Sequence, residues 1–182
     1  MSAHALGWGT KYHVFCQPID YSNTETATQM ARTVWLYFIL KVVDLLDTVF
    51  FVLRKKNNQI SFLHVYHHGM MVILTWATTK FLPGGHGTFL GYTNSIVHAV
   101  MYAYYFITSM WPEYKGSFWW KKYITQLQMI QFVLIGLHAS TALVIENCEY
   151  PTFMALTMII QSIIMFKLFY DFYQRAYVKK IK

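Results

Sequence analysis

Three histidines stand close together in the stretch FLHVYHHGMM, and their spacing is the first chemical feature of this 182-residue chain. His64, His67 and His68 occupy positions i, i+3 and i+4, so a helix would place all three on one face. Imidazoles grouped in this way can hold a metal ion, act as nucleophile and proton acceptor, or hydrogen-bond one another in a core. A core role is more typical of a single histidine than of three on one face, so the stretch indicates a functional site.

A second polar group precedes the histidines, inside the apolar run TVWLYFILKVVDLLDTVFFVL. Lys41, Asp44 and Asp47 are spaced by three and would lie near one face of a helix. Lys41 and Asp44 can form an internal ion pair. Asp47 has no second cation within one turn, so we expect it to orient a histidine on another helix by accepting a ring N–H.

Further polar side chains recur at helical spacing later in the chain. Asn94 and His98 are at i and i+4 and would share a face. The other members of this set are Tyr102, Tyr104, Tyr105, Thr125, Gln128 and Gln131. Each one alone could serve an inter-helical hydrogen bond. Together they predict a polar cavity in a helix bundle.

Two kinds of chemistry stay open for this cavity. Membrane di-iron desaturases and hydroxylases use HxxHH boxes, but they take about eight or more histidines from several boxes, and this chain has 8 in all. A single metal ion remains an alternative, with four candidate ligands: His64, His67, His68 and His98. A neutral imidazole can instead attack a thioester, and amide side chains can stabilise the oxyanion that forms. We favour acyl transfer by histidine, with no metal ion or other cofactor.

The composition places these residues in a membrane. The chain is 55% hydrophobic and 13% charged, whereas soluble domains are about one quarter charged. Five apolar segments of about 20 residues each could cross a hydrocarbon core of ~30 Å. The sequence therefore predicts an all-α fold, a polytopic transmembrane helix bundle with five spans at about 33–53, 61–82, 88–110, 123–145 and 152–174. Residues 1–31 contain no long apolar core and are predicted to form a loop.

Basic residues mark one side of the predicted bundle. Five spans put the loops 54–60 and 111–122 and the C-terminal tail on one side, with most of the basic residues: Arg54, Lys55, Lys56, Lys115, Lys121, Lys122, Arg175, Lys179, Lys180 and Lys182. The other side carries Lys11, Arg32 and Lys80. The positive-inside rule then predicts a lumenal segment 1–32, a transmembrane bundle 33–174 and a cytosolic tail 175–182. The net charge of +7 follows from this topology, and nucleic-acid binding is not expected.

The two cysteines fall on the same side in this topology. Cys16 lies in the N-terminal segment and Cys148 in the loop ENCEYP between the last two spans. Disulfides persist in an oxidising compartment such as the lumen of the endoplasmic reticulum. We therefore expect a disulfide between them, and two free thiols are the alternative.

Four motifs, in this order, resemble the ELO family of very-long-chain fatty acid elongases: KVVDLLDTVFFVLRKK, FLHVYHH, NSIVHAVMYAYY and TQLQMIQF. The HxxHH spacing alone is a weak signal, whereas four ordered motifs are a strong one. The resemblance runs from about GWGTKYHVFCQPIDYSNT to the tail, and the family most often has glutamate where Asp44 stands. Members usually have seven helices, so the resemblance implies that about two are absent and that this chain is a fragment or a truncated product.

The resemblance implies an enzyme, a 3-oxoacyl-CoA synthase of the endoplasmic reticulum membrane. Such an enzyme condenses a long-chain acyl-CoA with malonyl-CoA and releases carbon dioxide and CoA. Its expected partners are these two substrates, membrane lipid and other elongation-cycle enzymes. The C-terminal KKIK also matches a dilysine retrieval signal, which requires a cytosolic C-terminus.

Mapped onto this sequence, the resemblance implies two sets of site residues. The catalytic set is His64, His67, His68, His98, Asp47 and Asn94. The substrate-binding set is Arg54, Lys55, Lys56, Lys121 and Lys122 for CoA phosphates, with Gln128, Gln131, Tyr102 and Tyr105. We hypothesise that His67 forms an acyl-imidazole and that His98 and Asn94 stabilise the enolate made from malonyl-CoA or steer the decarboxylation. The choice of His67 over His68 rests on the resemblance.

Two other functions stay open at this point. One is a metal-dependent fatty-acyl oxidoreductase of the desaturase or hydroxylase type. The other is an inactive, truncated partner of the elongation complex.

Overall fold

The structure, a computed structural model, describes residues 13–55, 60–111, 113–114 and 118–178. The long elements in these ranges are helices: α1 (Glu25–Leu53), α2 (Phe62–Phe81), α3 (Thr88–Met110), α4 (Phe118–Val144) and α5 (Thr152–Tyr173). A short 3-10 turn at Gly85–Gly87 precedes α3, and a π-helical segment at Gln174–Val178 follows α5. The predicted all-α fold is confirmed for the described residues.

The helices belong to two compact units. Unit 1 contains α1, α2 and the loop Ile145–Tyr150. Unit 2 contains α3, α4 and α5.

Among the described residues, two helices are long and apolar enough to cross a membrane, judged by length and composition. They are Trp120–Val144 within α4, and Thr152–Val178, which comprises α5 and the π-helical segment. Helices α2 and α3 coincide with the predicted spans 61–82 and 88–110 to within one residue at each end.

Helix α1 begins at Glu25, well before the predicted start at residue 33. The cause is a local chain of hydrogen bonds. The backbone N–H of Ser22 donates to Asp20 Oδ1 (2.9 Å), the hydroxyls of Ser22 and Thr24 are 3.0 Å apart, and Thr24 Oγ1 accepts from the N–H of Ala27. Hydrogen bonds from Ser22, the side chain first and the backbone second, lower the pKa of the Asp20 carboxyl. The predicted loop over 1–31 is therefore wrong for residues 25–31, because a threonine cap starts a helix there.

Two other predicted boundaries are also wrong. Helix α4 begins at Phe118, not at residue 123, so Lys121 and Lys122 lie in its first turns and not in a loop. The π-helical segment extends α5 into the predicted tail and includes Arg175. Several basic residues of the predicted topology lie outside the described residues: Lys11, Lys56, Lys115, Lys179, Lys180 and Lys182.

Helices α4 and α5 pack closely in unit 2 through small side chains. Ala139 and Ala155 are completely buried. A Cβ added to Gly136 would lie 3.5 Å from Cβ of Ser162, an ordinary packing distance. Small residues let two membrane helices approach closely. The buried cluster around this contact is Ile135, Ala139 and Met158, with Leu90 and Ile159 packed against it.

A disulfide closes one end of unit 1. Cys16 and Cys148 are joined with an S–S distance of 2.01 Å, so the predicted bond is present in the structure. At the same end, Tyr21 donates its hydroxyl to the carbonyl of Phe81 at the C-terminus of α2 (2.9 Å). The N-terminal segment is thereby linked both to the loop before α5, by the disulfide, and to α2, by the hydrogen bond of Tyr21.

The turn that follows α2 is packed beneath this N-terminal segment. Gly84 and Gly85 have φ values of 117° and 67°, and a Cβ on Gly85 would lie only 2.8 Å from Cγ1 of Ile19. His86 is fully buried, donates its backbone N–H to Gln17 (2.8 Å), and has its ring 5.4 Å from that of Tyr150. Burial raises the pKa of the Tyr150 hydroxyl. His86, between the predicted spans 61–82 and 88–110, is therefore the packed centre of a turn.

Candidate functional site

Helix α2 presents the three histidines of the HxxHH stretch. Its N-terminus is capped by Ser61, whose side-chain oxygen accepts the N–H of His64 (3.2 Å). The His64 and His68 rings have centroids 4.4 Å apart, and the His67 and His68 rings are edge to face at 5.4 Å. All three side chains are partly buried. The predicted histidine face is therefore formed, with His68 between the other two rings.

Helix α1 supplies a buried ion pair next to this face. Lys41 Nζ lies 2.9 Å from Asp44 Oδ2, and the side chains are only 6% and 13% exposed. The Lys41 ammonium also lies 5.1 Å from the ring centroid of Tyr37. Both charges of the pair interact electrostatically with His68. The predicted internal ion pair is confirmed, and it belongs to the surroundings of the histidines.

The direct contact between the two helices is made by a residue that sequence reasoning missed. Thr48 Oγ1 lies 2.9 Å from His64 Nε2. The ring of Phe51, one turn further along α1, is 5.4 Å from the same imidazole. A signal was available, because Thr48 and Phe51 continue the line of Lys41 and Asp44 at steps of three or four, which is one helix face. The prediction from sequence included only the charged residues of α1.

Asp47 interacts electrostatically with His64. The sequence predicted that Asp47 would orient a histidine on another helix. His64 on α2 is the histidine that fits this expectation. The orienting role itself stays a prediction.

In unit 2, the predicted polar residues of α3 and α4 divide into buried and partly buried groups. Asn94 and Gln131 are each 4% exposed. His98 is partly buried, with its ring 5.7 Å from that of Tyr102. Gln128 donates its amide to Met101 Sδ at 3.9 Å. A buried polar side chain such as Asn94 or Gln131 needs a polar partner. The catalytic or binding roles of the residues in this group stay predictions.

The tyrosines that follow His98 differ from one another in exposure. Tyr104 is buried, whereas Tyr102 and Tyr105 are exposed, with ring centroids 6.2 Å apart. An apolar cavity of about 350 Å³ lies beside Tyr104 in unit 2. It is lined by Val100, Ala103, Tyr104, Ile107, Thr108, Tyr114, Trp120 and Ile124.

The basic residues predicted to bind CoA lie at helix ends. Arg54 and Lys55 are exposed at the C-terminus of α1, the end of the α1/α2 pair that also carries the start of α2. Lys121 is exposed and Lys122 half-buried near the start of α4. The role of these cations in binding phosphate stays a prediction.

The histidine cluster is not arranged as a metal cage in the described part of the chain. No three His, Cys, Asp or Glu side chains among these residues converge as metal binding would require. A single-metal site at His64, His67 and His68 would need the three rings to turn toward one point. The arrangement present is a row of imidazoles in ring contact.

Comparison with known proteins agrees with the motifs. The profile of the ELO family, described as GNS1/SUR4, matches residues 1–182. The chain is 46% identical over 175 residues to very long chain fatty acid elongase 7 of Rattus norvegicus, covering 95% of this chain and 62% of that protein. It is 43% identical over 174 residues to very long chain fatty acid elongase 7 of Drosophila melanogaster, covering 96% and 53%.

A third relative gives the same picture. Very long chain fatty acid elongase 4 of Homo sapiens is 46% identical over 167 residues, covering 91% of this chain and 52% of that protein. The chain thus spans between half and two thirds of the length of these curated relatives. A family match along the whole chain, with relatives above 40% identity, establishes that this chain belongs to the ELO (GNS1/SUR4) family.

Proposed function

We propose that this chain is part of an enzyme that condenses a long-chain acyl-CoA with malonyl-CoA to give 3-oxoacyl-CoA, carbon dioxide and CoA. Family membership and relatives named as very long chain fatty acid elongases support the proposal. The observation that carries it is the row of imidazoles on α2, in hydrogen-bond and electrostatic contact with α1. Such a row offers a nucleophile with a neighbouring base, as covalent acyl transfer requires.

The first half-reaction is acyl transfer to His67. A ring nitrogen of His67 attacks the thioester carbonyl, the carbon–sulfur bond breaks, and CoA leaves. The imidazole gives up its ring proton, and the departing thiolate gains one. His68, whose ring meets that of His67 edge to face at 5.4 Å, is the neighbouring base for this transfer. The product is an acyl-imidazole.

The second half-reaction uses malonyl-CoA. Loss of carbon dioxide leaves an enolate, whose carbon attacks the acyl carbonyl of the intermediate. The bond between acyl carbon and ring nitrogen breaks, 3-oxoacyl-CoA leaves, and the ring nitrogen of His67 takes up one proton from water. The family resemblance assigns stabilisation of the enolate, or steering of the decarboxylation, to Asn94 and His98, and substitution of each residue tests that assignment.

The substrate head group is assigned to the basic helix ends. Arg54, Lys55, Lys56, Lys121 and Lys122 form the set proposed to bind the CoA phosphates. Charge-assisted hydrogen bonds to phosphate are strong, and the described members lie at helix ends, where a bulky polar nucleotide can approach. Gln128, Gln131, Tyr102 and Tyr105 complete the proposed substrate-binding set.

The proposed setting is the endoplasmic reticulum membrane, with five spans in this chain and a cytosolic C-terminus. The disulfide supports a lumenal N-terminal segment, because such bonds persist in an oxidising compartment. The exposed apolar surface of all five helices supports spanning, since a soluble protein rarely exposes large apolar patches. Epitope tags at residue 20 and at the C-terminus, tested for protease access in sealed microsomes, decide the orientation.

The proposal is tested by activity and by trapping the intermediate. Purified complete gene product is expected to incorporate labelled malonyl-CoA into long-chain acyl-CoA. Incubation with acyl-CoA alone is expected to leave an acyl group on His67, located by peptide mass spectrometry. His13→Ala, in the exposed N-terminal segment, serves as the matched histidine control.

Three results would contradict the proposal. They are no incorporation across a range of acyl-CoAs, an adduct on another residue, or a stoichiometric metal ion whose removal abolishes activity. The last result would favour the oxidoreductase alternative. Binding to other elongation enzymes without incorporation would favour the non-catalytic one.

A further inference from the structure

Thr48 differs from most threonines in these helices in the partner of its hydroxyl. A helical threonine commonly donates its hydroxyl to the carbonyl one turn earlier. In this chain Thr33, Thr75, Thr93, Thr108, Thr125 and Thr157 all donate in this way, at 2.6–3.0 Å. The hydroxyl of Thr48 instead meets Nε2 of His64 on the neighbouring helix at 2.9 Å.

A hydroxyl at this distance constrains the imidazole in two ways. It engages Nε2 in a hydrogen bond, since a hydroxyl can donate to a bare Nε2 or accept from an Nε2–H. It also fixes the rotation of the ring about its side-chain bonds. Phe51 limits the same ring from another side, with centroids 5.4 Å apart.

His64 in turn touches the next ring of the row. Its centroid is 4.4 Å from that of His68, and His68 is edge to face with His67 at 5.4 Å. A change in the orientation of His64 would therefore move the ring that packs against His67. The contacts form a continuous row from α1 to His67: Thr48, His64, His68 and His67.

From this geometry we infer that Thr48 is a positioning residue. Its hydroxyl holds the ring of His64 in one orientation, and His64 thereby keeps His68 aligned with His67. The inference rests on the proposed function for its effect on turnover, but its effect on the hydrogen bond at Nε2 of His64 is independent of any activity. Thr48 touches no substrate in this role, since it acts through His64.

The first test reads the hydrogen bond at Nε2 of His64 directly. In protein labelled with ¹⁵N-histidine, the ring nitrogens of His64 are assigned by the signals lost in His64→Gln. Wild type and Thr48→Ser are expected to share one Nε2 chemical shift for His64. Thr48→Val, which keeps the shape and removes the hydroxyl, is expected to shift that signal. Thr33→Val, in the same helix but with its hydroxyl on the backbone, is expected to match wild type.

The second test reads turnover in the condensation reaction. Thr48→Val is expected to lower kcat about tenfold with KM within about twofold of wild type, because a misaligned group weakens the reacting geometry more than substrate binding. Thr48→Ser is expected to restore kcat. In a His64→Gln background, Thr48→Val is expected to have no further effect, because residues that act through one another are not additive.

The outcomes separate this inference from the proposed function. An unchanged Nε2 chemical shift in Thr48→Val overturns the inference, and so does a loss of kcat that is equal in Thr48→Ser and Thr48→Val. If wild type has no condensing activity, the proposed function fails, and the ¹⁵N measurement still decides the inference. If Thr48→Val does not fold, Thr48→Ala carries the same expectations in both tests.

Discussion

The α1/α2 pair of unit 1 and the α4/α5 pair of unit 2 are both built from long apolar helices, yet the groups buried at the two pairs differ. At the first pair, α1 carries the buried ion pair of Lys41 and Asp44, and a hydroxyl of α1 meets an imidazole of α2. At the second pair, alanines, a glycine and a serine allow close approach, beside one hydrogen bond from Gln126 to Tyr173. Buried polar groups are costly unless paired, so their retention at the first contact indicates chemistry. Small residues at the second indicate packing.

The largest expected effect separates chemistry from packing at the α1/α2 pair. His67→Ala is expected to lower condensation by about 10³-fold or more, because loss of a nucleophile removes the covalent route. The thermal unfolding temperature is expected to change little, since His67 is only partly buried. Labelled malonyl-CoA incorporation and a melting curve measure the two quantities. If His67→Ala keeps the activity of the His13→Ala control, the α1/α2 pair is not the site of the covalent step.

The next effect tests whether the polar contact also contributes to stability. Asp44→Asn leaves Lys41 buried without its counter-ion and is expected to cost about 3–5 kcal/mol of unfolding free energy. Denaturant unfolding in detergent measures the loss. The double variant Lys41→Met with Asp44→Leu is expected to regain most of it, because it removes both charges. If Asp44→Asn has the same free energy of unfolding as wild type, the ion pair is dispensable for folding.

A smaller effect concerns the loop that joins α4 to α5 but belongs to unit 1. The disulfide closes a separation of 132 residues. Replacing Cys16 and Cys148 by serine is expected to cost about 2–4 kcal/mol of stability, since the unfolded chain regains freedom. Reductant should lower the stability of wild type toward that of the variant and leave the variant unchanged. Two thiols that alkylate without reductant would show that the bond does not form.

The smallest effect tests packing at the α4/α5 pair. Ala155→Leu is expected to cost about 1–3 kcal/mol, because no space exists for the larger side chain. Ala99→Leu, at an exposed position on α3, is the matched control and should be nearly neutral. Activity per folded molecule should be kept in Ala155→Leu. A specific loss of turnover without loss of stability would place chemistry at this contact as well.

Helix boundaries were predictable where apolar character itself begins and ends. The limits of α2 and α3 follow their apolar runs closely. The start of α1 does not, because Thr24 caps a polar first turn that a hydrophobicity pattern does not detect. The start of α4 was missed for a similar reason, since Lys121 and Lys122 are compatible with a helix that extends beyond its apolar segment.

Within the candidate site, contacts along one helix were more predictable than contacts between helices. Lys41 and Asp44 are three residues apart, so helical geometry alone brings them together. The bond between Thr48 and His64 depends on how α1 and α2 are aligned along their axes. That alignment results from the packing of many side chains, and no spacing within α1 specifies it.

The sequence by itself determined the helical character of the chain and the shared face of His64, His67 and His68, because these depend on local periodicity and on composition; the cysteine pair was predicted only through the topology. The tertiary structure decided which hydroxyl meets which imidazole and which turn encloses His86. It also decided that α4 and α5 approach at Gly136 and Ser162. These features require segments distant in sequence to be brought to a defined separation, and only the packing of whole helices sets that separation.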